Sequence, residues 1–507
     1  MSKKFYVTTA IVYANATPHI GYAYEVIAAD VIARYKRLCG FDTFFLTGTD
    51  EHSCNVHDKA VAMGMDTQLY CDQMAKVYRD VWKKFNISHD DFIRTSEERH
   101  VEVVRALLNI MYKNGDIYKG FYEGWYCTSC EAFYLESDLE EGKCPVHKIN
   151  PKWLKEENYF FKLSGYQDKL LHWIEHNPEV VAPEIRRNEV LNIIKSGLRD
   201  ISISRSTLKW GIPCPFDESQ VVYVWVDALI NYVSGVGYLR DKDKFNRFWP
   251  ADVHIIGKDI TRFHCIIWPA MLMAAGLAVP KKVFGHGFLK IKGEKISKTK
   301  GNLVDPVALA DTFGVDAVRY FLLRHIPFDA DGDFSEEALA HRYNGDLAND
   351  LGNLLNRTLS MTEQYFQGTV PRPSEEQEID RRLKEQVEIT RRKVDEYINA
   401  LSFSQALESI WELVNKANKY IDETAPWKLF KADKVRLNTV IHNLVEILRI
   451  ITIFILPFMP EKAGRMWEQL GVKGQLGGQS IEETRWQGLP EGTKVRKGEI
   501  LFPKQSA

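Results

Sequence analysis

The sequence has neither a long uninterrupted apolar run nor a surplus of charge of one sign. With 66 basic and 68 acidic residues its formal net charge is −2, so a polyanionic partner would have to meet a local basic patch. Because we find no run of transmembrane length and no apolar signal region after Met1, we expect a cytoplasmic protein with no membrane partner. Only eight cysteines occur in 507 residues, which predicts reduced thiols rather than a disulfide framework.

A chain of this length is too long for one hydrophobic core, and we find no internal repeat or low-complexity segment. Buried-strand patterns alternate with helical patterns near both ends of the first 320 residues. This alternation predicts an α/β fold with a doubly wound parallel sheet of Rossmann type. The strand-like segments are 5–10, 43–47, 91–95, 253–256 and 282–284.

The alternation stops between about 117 and 220, where short aromatic strands and cysteines prevail. From about residue 340 apolar residues recur at helical spacing, which predicts a helical bundle, whereas the Gly-rich tail after Leu470 has no readable pattern. The expected domains are a catalytic domain in two halves (1–116 and 221–322), an insertion (117–220), a connector (323–345) and a helical domain (346–507).

Residues 18–22, Pro-His-Ile-Gly-Tyr, follow an apolar run and open a helical pattern. In a doubly wound sheet, ligands bind beyond the carboxyl ends of strands, where helix N-termini present amides to phosphate. His19 is a candidate donor to a phosphoryl oxygen, and Gly21 would let a flat base approach the backbone. The alternative is a capped helix start with an incidental histidine.

Residues 295–299, Lys-Ile-Ser-Lys-Thr, form a second candidate phosphate segment. Lys295 and Lys298 are mobile cations with the Ser297 hydroxyl between them, a set suited to stabilising a diphosphate leaving group. The alternative is a solvated basic loop. Because both segments fall where strands of one sheet should end, their joint occurrence favours a triphosphate site.

A third candidate site is formed by cysteines with the spacing of zinc ligands. Cys127 and Cys130 are followed by Cys144 and His147, each pair having a two-residue gap. Such a set closes a tetrahedral Cys₃His site around Zn²⁺, and four protein ligands predict a structural role. Incidental reduced cysteines are the alternative.

Residues 18–22 and 295–299 resemble, in this order, the two signatures of class I aminoacyl-tRNA synthetases, and their surroundings are similar to the methionyl-tRNA synthetase family. Tyr22 stands where that family has its second signature histidine, and Ile296 and Thr299 replace its usual Met and Ser. The resemblance extends from residue 4 to at least 460. The other segments that match the family are 6–9, 13–15, 45–52, 224–228, 257–260, 263–264 and 268–270.

The resemblance implies roles for individual residues. His19, Lys295 and Lys298 would be catalytic, and Gly21, Tyr22, Asp259 and Ser297 would bind ATP with them, Mg²⁺ being a further cofactor. The implied methionine pocket consists of Ile11, Tyr13, Asp50, Trp225, Ala228, Tyr232 and His264, in which Asp50 takes the ammonium group. Aromatic walls suit a polarizable thioether. The alternative for Trp225 and Tyr232, seven residues apart on one helical face, is that both belong to the core.

In the helical region, Asn353 and Arg357 are four residues apart and so share a helix face, and Trp427 follows an Ala-Pro pair. Asn and Arg can read the edges of unpaired bases and Trp can stack on one. The resemblance implies that these residues read the anticodon. An ordinary surface pair and a Trp closing one end of the bundle are the alternative.

The resemblance implies an ATP-dependent ligase that makes methionyl-adenylate and transfers methionine to tRNA(Met). We expect a monomer, residues 331–335 as a link between the catalytic and helical parts, and a Tyr22 that tunes the rate. Two alternatives remain: a catalytically silent tRNA-binding protein, or a class I enzyme for another small apolar or sulfur amino acid.

Overall fold

The computed structural model describes residues 3–127, 132–134, 136–145, 148–206, 208–291, 293–295 and 303–505, and for residues 122, 132, 133 and 295 the backbone alone. The strands are β1 (Lys4–Thr9), β2 (Val12–Tyr13), β3 (Asp42–Asp50), β4 (Asp91–Arg94), β5 (Ile117–Cys127), β6 (Ala132–Tyr134), β7 (Lys152–Phe161), β8 (Val181–Ala182), β9 (Ile201–Ser202), β10 (Ser204–Arg205), β11 (Pro213–Cys214), β12 (Asp217–Val222), β13 (Val253–Gly257), β14 (Val283–His286), β15 (Leu289–Ile291), β16 (Glu294–Lys295) and β17 (Gly332–Asp333).

The α-helices are α1 (Ile20–Leu38), α2 (Cys54–Ala62), α3 (Thr67–Lys84), α4 (Glu98–Lys113), α5 (Gln167–His176), α6 (Glu184–Lys195), α7 (Val224–Leu229), α8 (Asn231–Gly235), α9 (Lys242–Phe248), α10 (Trp268–Ala274), α11 (Pro306–Phe313), α12 (Val315–His325), α13 (Glu336–Arg342), α14 (Asn353–Phe366), α15 (Glu378–Asn399), α16 (Phe403–Thr424), α17 (Pro426–Ala432), α18 (Lys434–Ile455) and α19 (Pro460–Leu470). A π-helical turn, Phe263–Ile267, leads into α10, and a longer one, Tyr343–Gly352, leads into α14.

The central sheet has seven strands in the order β2-β3-β1-β13-β14-β8, with β4 also pairing with β3. All of these pairings are parallel. The strands are largely buried, as expected for a parallel sheet covered by helices on both faces. The predicted Rossmann-type α/β fold is confirmed, and the carboxyl ends of β1, β3, β13 and β14 meet at one edge of the sheet.

The segment between the two sequence halves of this sheet is mainly antiparallel. β5 and β7 form a long ribbon from Ile117↔Phe161 to Tyr126↔Lys152, flanked by β6 and β9. β8, however, lies within the segment predicted as an insertion and pairs in parallel with β14 of the central sheet. Two residues are too short for a periodic pattern, which is why the sequence did not reveal this strand. The predicted domain boundaries themselves stay a prediction.

The C-terminal part is a helical domain built around α18. This helix has the length and apolar composition of a membrane span, contrary to our expectation, but 94% of its most apolar window is buried inside the protein. It is therefore the core helix of the bundle. The tail after Leu470 packs on the bundle through buried residues, namely Leu476, Leu489, Val495, Leu501 and Phe502.

Arg319 of α12 ties the sheet domain to the helical domain. Its guanidinium is fully buried and donates to the Asp30 carboxylate at 2.7 Å, to the Phe85 carbonyl at 3.0 Å, and to the carbonyls of Pro457 and Phe458 at 2.9 and 2.8 Å. Burial by itself would raise the pKa of Asp30, but the neighbouring guanidinium groups outweigh it and hold this pKa below the ordinary carboxyl range. One side chain thus satisfies polar groups of α1, the C-cap of α3 and the turn after α18.

We predict that Arg319→Leu lowers the free energy of unfolding by about 3 kcal/mol or more at neutral pH, because it removes one partner of a buried ion pair. The loss should shrink below about pH 4, where protonation of Asp30 removes the charge that Arg319 compensates. Urea denaturation at several pH values measures both effects. Arg240→Leu, which breaks an exposed pair with Glu102, is the control and should cost less than about 1 kcal/mol. An equal cost for the two variants would contradict the assignment.

Candidate active site

His19 is the N-cap of α1, at the edge where the parallel strands end. Its Nδ1 accepts the Gly21 N–H at 3.1 Å, so the proton of the neutral ring lies on Nε2. A Cβ at Gly21 would lie 2.9 Å from His19 Cε1 and 3.0 Å from Nδ1. Glycine is therefore required for the imidazole to fold back over the turn.

Tyr22 stacks on His19, with ring centroids 4.1 Å apart and planes 22° from parallel. Burial raises the pKa of Tyr22 to about 12, and the nearby Asp259 and Glu25 carboxylates add to the shift. The phenol therefore stays neutral at physiological pH. Tyr22 supports the His19 ring by stacking, a role that the sequence did not suggest.

The second signature segment begins where β16 pairs with β15, Lys295 lying opposite Lys290. Ser297 and Lys298 lie outside the described residues, and Lys295 is described through its backbone. Val304, five residues after Thr299, accepts the Ile20 N–H on its carbonyl at 3.1 Å, in the first turn of α1. The chain after the second signature segment therefore contacts the first.

Asp331, in the predicted connector, holds the β15–β16 hairpin in place. The Asp331 carboxylate accepts hydrogen bonds from Lys258 Nζ at 2.6 Å and the Phe288 N–H at 2.9 Å, and it pairs with Lys290 Nζ at 2.9 Å. Burial by itself would raise the pKa of Asp331, but the two ammonium groups outweigh it and hold the pKa well below its usual range. Since Lys258 precedes Asp259, this ionised carboxylate links the hairpin to the predicted ribose site.

Asp259 lies in a 3₁₀ turn, Lys258–Ile260, directly after β13. Its side chain is exposed at the carboxyl edge of the sheet, where a nucleotide can reach it. Gly257 provides room for it, because a Cβ there would lie 2.8 Å from Asp259 Oδ1.

The predicted methionine pocket begins at the ends of β2 and β3. Tyr13 lies opposite Asp50 in the parallel pairing, and Asp50 is only 4% exposed. The half-buried Ile11 precedes β2. Trp225 of α7 has its ring 6.4 Å from that of Tyr13 in an edge-on arrangement, and Ala228 follows it on the same helix, buried. A carboxylate at the rim of an aromatic wall suits an amino acid whose side chain is apolar.

His264 completes the wall in its neutral form. Its Nδ1–H donates to the Ile260 carbonyl at 3.0 Å, so Nε2 accepts the hydrogen bond from the Tyr232 hydroxyl at 2.7 Å. Burial lowers the pKa of His264 to about 4, which keeps the ring uncharged at neutral pH. Trp225 stacks on Phe263 at 3.8 Å. Trp225 and Tyr232 lie on two separate short helices, so the expectation that they share one helical face is wrong.

Of the four predicted zinc ligands, Cys127 and Cys144 lie within the described residues. Cys127 is the last residue of β5 and Cys144 lies in a turn whose backbone bonds to Lys148 and Ile149, and both thiols are buried. Cys130 and His147 lie outside the described residues. No group of three metal-ligating side chains occurs among the residues that the structure covers.

The three predicted anticodon residues lie at one end of the helical domain. Asn353 is exposed and Arg357 lies one turn further along α14, paired at 2.9 Å with Asp422 near the end of α16. Trp427, in α17, is 44% exposed. A tryptophan that closed the end of the bundle would be buried, so the exposure of Trp427 favours a binding role over a core role.

Sequence reasoning missed two sets of polar side chains at the same edge. Glu25, one turn after Tyr22, is buried and binds the Ala10 N–H at 3.0 Å and His286 Nε2 at 3.0 Å. Asp227 is fully buried and contacts His52 and His100. His52 and Asp227 lie in segments that match the family, but their mutual contact is visible only in three dimensions.

Comparison with known proteins agrees with this geometry. Residues 5–149 and 135–359 match the model of class I tRNA synthetases (M), and residues 370–507 match that of the anticodon binding domain of methionyl tRNA ligase. The chain belongs to the class I methionyl-tRNA synthetase family. A methionine–tRNA ligase of Caldanaerobacter subterraneus subsp. tengcongensis is 54% identical over 99% of this chain and 79% of its own length. One from Thermotoga maritima is 48% identical over 99% of this chain and 81% of its own.

Solved structures of the family superpose closely on this chain. Mycobacterium tuberculosis methionyl-tRNA synthetase in complex with methionyl-adenylate has a TM-score of 0.94 and 44% identity, covering 99% of this chain and 100% of that one. The apo form of the same enzyme has a TM-score of 0.88 and 41% identity, covering 100% and 99%. The family assignment therefore extends over the entire architecture.

We predict that Gly21→Ala lowers the rate of amino-acid activation by about 10- to 100-fold, because the new methyl group displaces the His19 ring from its productive position. Thermal stability should change little, since Gly21 lies in the first turn of a helix and alanine is a good helix former. Pyrophosphate exchange and thermal melting measure the two effects. A variant with wild-type exchange would show that the observed His19 geometry is not required.

Proposed function

We propose that this chain is a methionine–tRNA ligase that activates L-methionine with ATP and transfers the methionyl group to the 3′ end of tRNA(Met). The observation that supports the proposal is the Ile20–Val304 hydrogen bond, which ties the chain after the second signature segment to the first turn of α1. We further propose that the chain acts in the cytoplasm as a monomer.

In the first step, a carboxylate oxygen of methionine attacks the α-phosphorus of ATP in line. The new P–O bond gives methionyl-adenylate, and the bond to the bridging oxygen breaks, with its electron pair leaving on pyrophosphate. Asp50 binds the substrate ammonium and Asp259 the ribose hydroxyls. His19 donates from Nε2 to a phosphoryl oxygen, while Lys295 and Lys298 stabilise the charge on the leaving group, with Ser297 between them. Positioning and preorganised charge provide most of the rate.

The methionine side chain would occupy the pocket between Tyr13, Trp225 and His264. A neutral His264 suits this site, because a charged ring beside a thioether would have to be desolvated without a counter-ion. Aromatic contacts with sulfur stabilise by about 0.3–1.5 kcal/mol each. Apolar burial alone separates side chains that differ by one methylene by only about 1–3 kcal/mol, so the aromatic fit around sulfur supplies the further selectivity.

In the second step, a hydroxyl of the tRNA 3′-terminal ribose attacks the methionyl carbonyl carbon, and AMP leaves. Asn353, Arg357 and Trp427 are the proposed anticodon readers. The exposed Trp427 ring supports this assignment because a stacked base contributes about 1–3 kcal/mol.

Mg²⁺ and Zn²⁺ are proposed as further components. Mg²⁺ accompanies the triphosphate and offsets its charge. Zn²⁺ would be held by Cys127, Cys130, Cys144 and His147 and would stabilise the inserted segment. The burial of Cys127 and Cys144 fits a metal-thiolate site.

Metal analysis should find one zinc ion per chain, and the Cys144→Ser variant should lose it. Zinc-free protein with wild-type stability would contradict the proposed zinc site.

Methionine-dependent exchange of labelled pyrophosphate into ATP is the direct test. Exchange is expected with methionine, and only background exchange with cysteine, leucine, isoleucine or valine. Exchange with another amino acid and none with methionine would refute the specificity for methionine.

Trp427→Ala should leave exchange unchanged but lower charging of tRNA(Met) by about 5- to 150-fold, since a stacked base is worth about 1–3 kcal/mol.

A further inference from the structure

A buried carboxylate with two histidines lies behind the proposed methionine pocket. Asp227 of α7 is fully buried, and its Oδ2 and Oδ1 accept hydrogen bonds at 2.7 Å from His52 Nδ1 and His100 Nε2. His100 Nδ1 lies 3.0 Å from Ser234 Oγ of α8, which is also 3.1 Å from the Ile230 carbonyl oxygen. We call Asp227, His52, His100 and Ser234 the carboxylate–histidine cluster.

The cluster joins the two halves of the pocket. His52 is two residues after Asp50, the proposed ammonium anchor, while Asp227 is two residues after Trp225 and directly before Ala228. His100 adds the first turns of α4 to the same carboxylate. The Asp227–His52 hydrogen bond therefore connects the segment that carries the ammonium anchor to the helix that carries the aromatic wall.

The loop that carries His52 has a second attachment on its other side. The Trp210 indole N–H donates to the Glu51 carbonyl at 2.7 Å, and its ring packs edge-on against His52 at 5.5 Å. The orientation of His52 is thus determined by one aromatic contact and one carboxylate.

The two histidines also keep the Asp227 carboxylate in its ionised form. Burial by itself would raise the pKa of Asp227, but the His52 and His100 imidazoles outweigh it and hold this pKa below the ordinary carboxyl range. The carboxylate therefore stays ionised, with both oxygens occupied, and can serve as a rigid link rather than as an acid or base.

We propose that Asp227 is a positioning residue that sets the distance between the ammonium anchor at Asp50 and the side-chain wall at Trp225. It acts through His52 and His100 and touches no substrate. The inference rests on the proposed function, because it assumes that Asp50 and Trp225 bind the two ends of one amino acid.

The test is steady-state pyrophosphate exchange with Asp227→Asn, which keeps the shape of the side chain but turns one acceptor oxygen into a donor. The KM for methionine is expected to rise about tenfold or more, while the KM for ATP changes less than about twofold. Ser234→Ala, which removes the outer partner of His100, is the milder variant and should raise the methionine KM about threefold.

Asp380→Asn is the matched control. Asp380 is equally buried and holds Arg436 at 2.9 Å in the helical domain, away from the proposed pocket, so its loss should lower stability without changing either KM. If Asp227→Asn does not fold, the methionine KM of Ser234→Ala alone decides whether the proposal holds.

An equal rise of both KM values, or no change in either while stability falls as in the control, would show that Asp227 is only structural and overturn the proposal. An unchanged methionine KM in Ser234→Ala would overturn it as well when Asp227→Asn cannot be measured. Absence of methionine-dependent exchange in the unmodified chain would instead refute the proposed function itself.

Discussion

The parallel pairing of β1 with both β3 and β13 is the constraint on which the rest of the structure depends. It aligns Thr9 with Ile255 and Thr8 with Leu46, so the chain leaves three neighbouring strands at one edge. The chain after β1 leads to the turn of His19, β3 ends at Asp50, and β13 is followed by the turn of Asp259. The residues proposed to bind phosphate, ammonium and ribose therefore lie at one edge of the sheet because of backbone register rather than direct contact between them.

Paired ionised groups, partly or fully buried, hold the neighbouring elements together. Asp331 binds the β15–β16 hairpin to the Asp259 turn, and Arg319 fastens the helical domain to α1. Such groups are costly to bury unless they are fully paired, and in each case the contacts engage the charge from several sides. The same principle applies to Asp227, which links the two walls of the pocket. The geometry of the proposed site thus depends on charge pairs that have no part in the proposed reaction.

Much of this could be predicted from the sequence. Strand and helix periodicity predicted the sheet, and β1, β3 and β13 lie within a few residues of where the pattern placed them. The two-residue β8 was missed because pairing, not periodicity, defines it. The Tyr22–His19 stacking and the Asp227 cluster were missed because both depend on side-chain contacts, and that cluster joins residues far apart in the chain. The family resemblance suggested which residues line the pocket, but it carried no information on what holds them there.

The central claim is that Asp50, His19 and Asp259 bind the three parts of one reaction intermediate. A crystal structure of this chain with a non-hydrolysable analogue of methionyl-adenylate tests it most directly. We expect the analogue's ammonium within about 2.7–3.2 Å of the Asp50 carboxylate, the ribose hydroxyls at the same range from Asp259, and His19 Nε2 facing the phosphate position. An analogue bound elsewhere, or with its ammonium away from Asp50, would contradict the account.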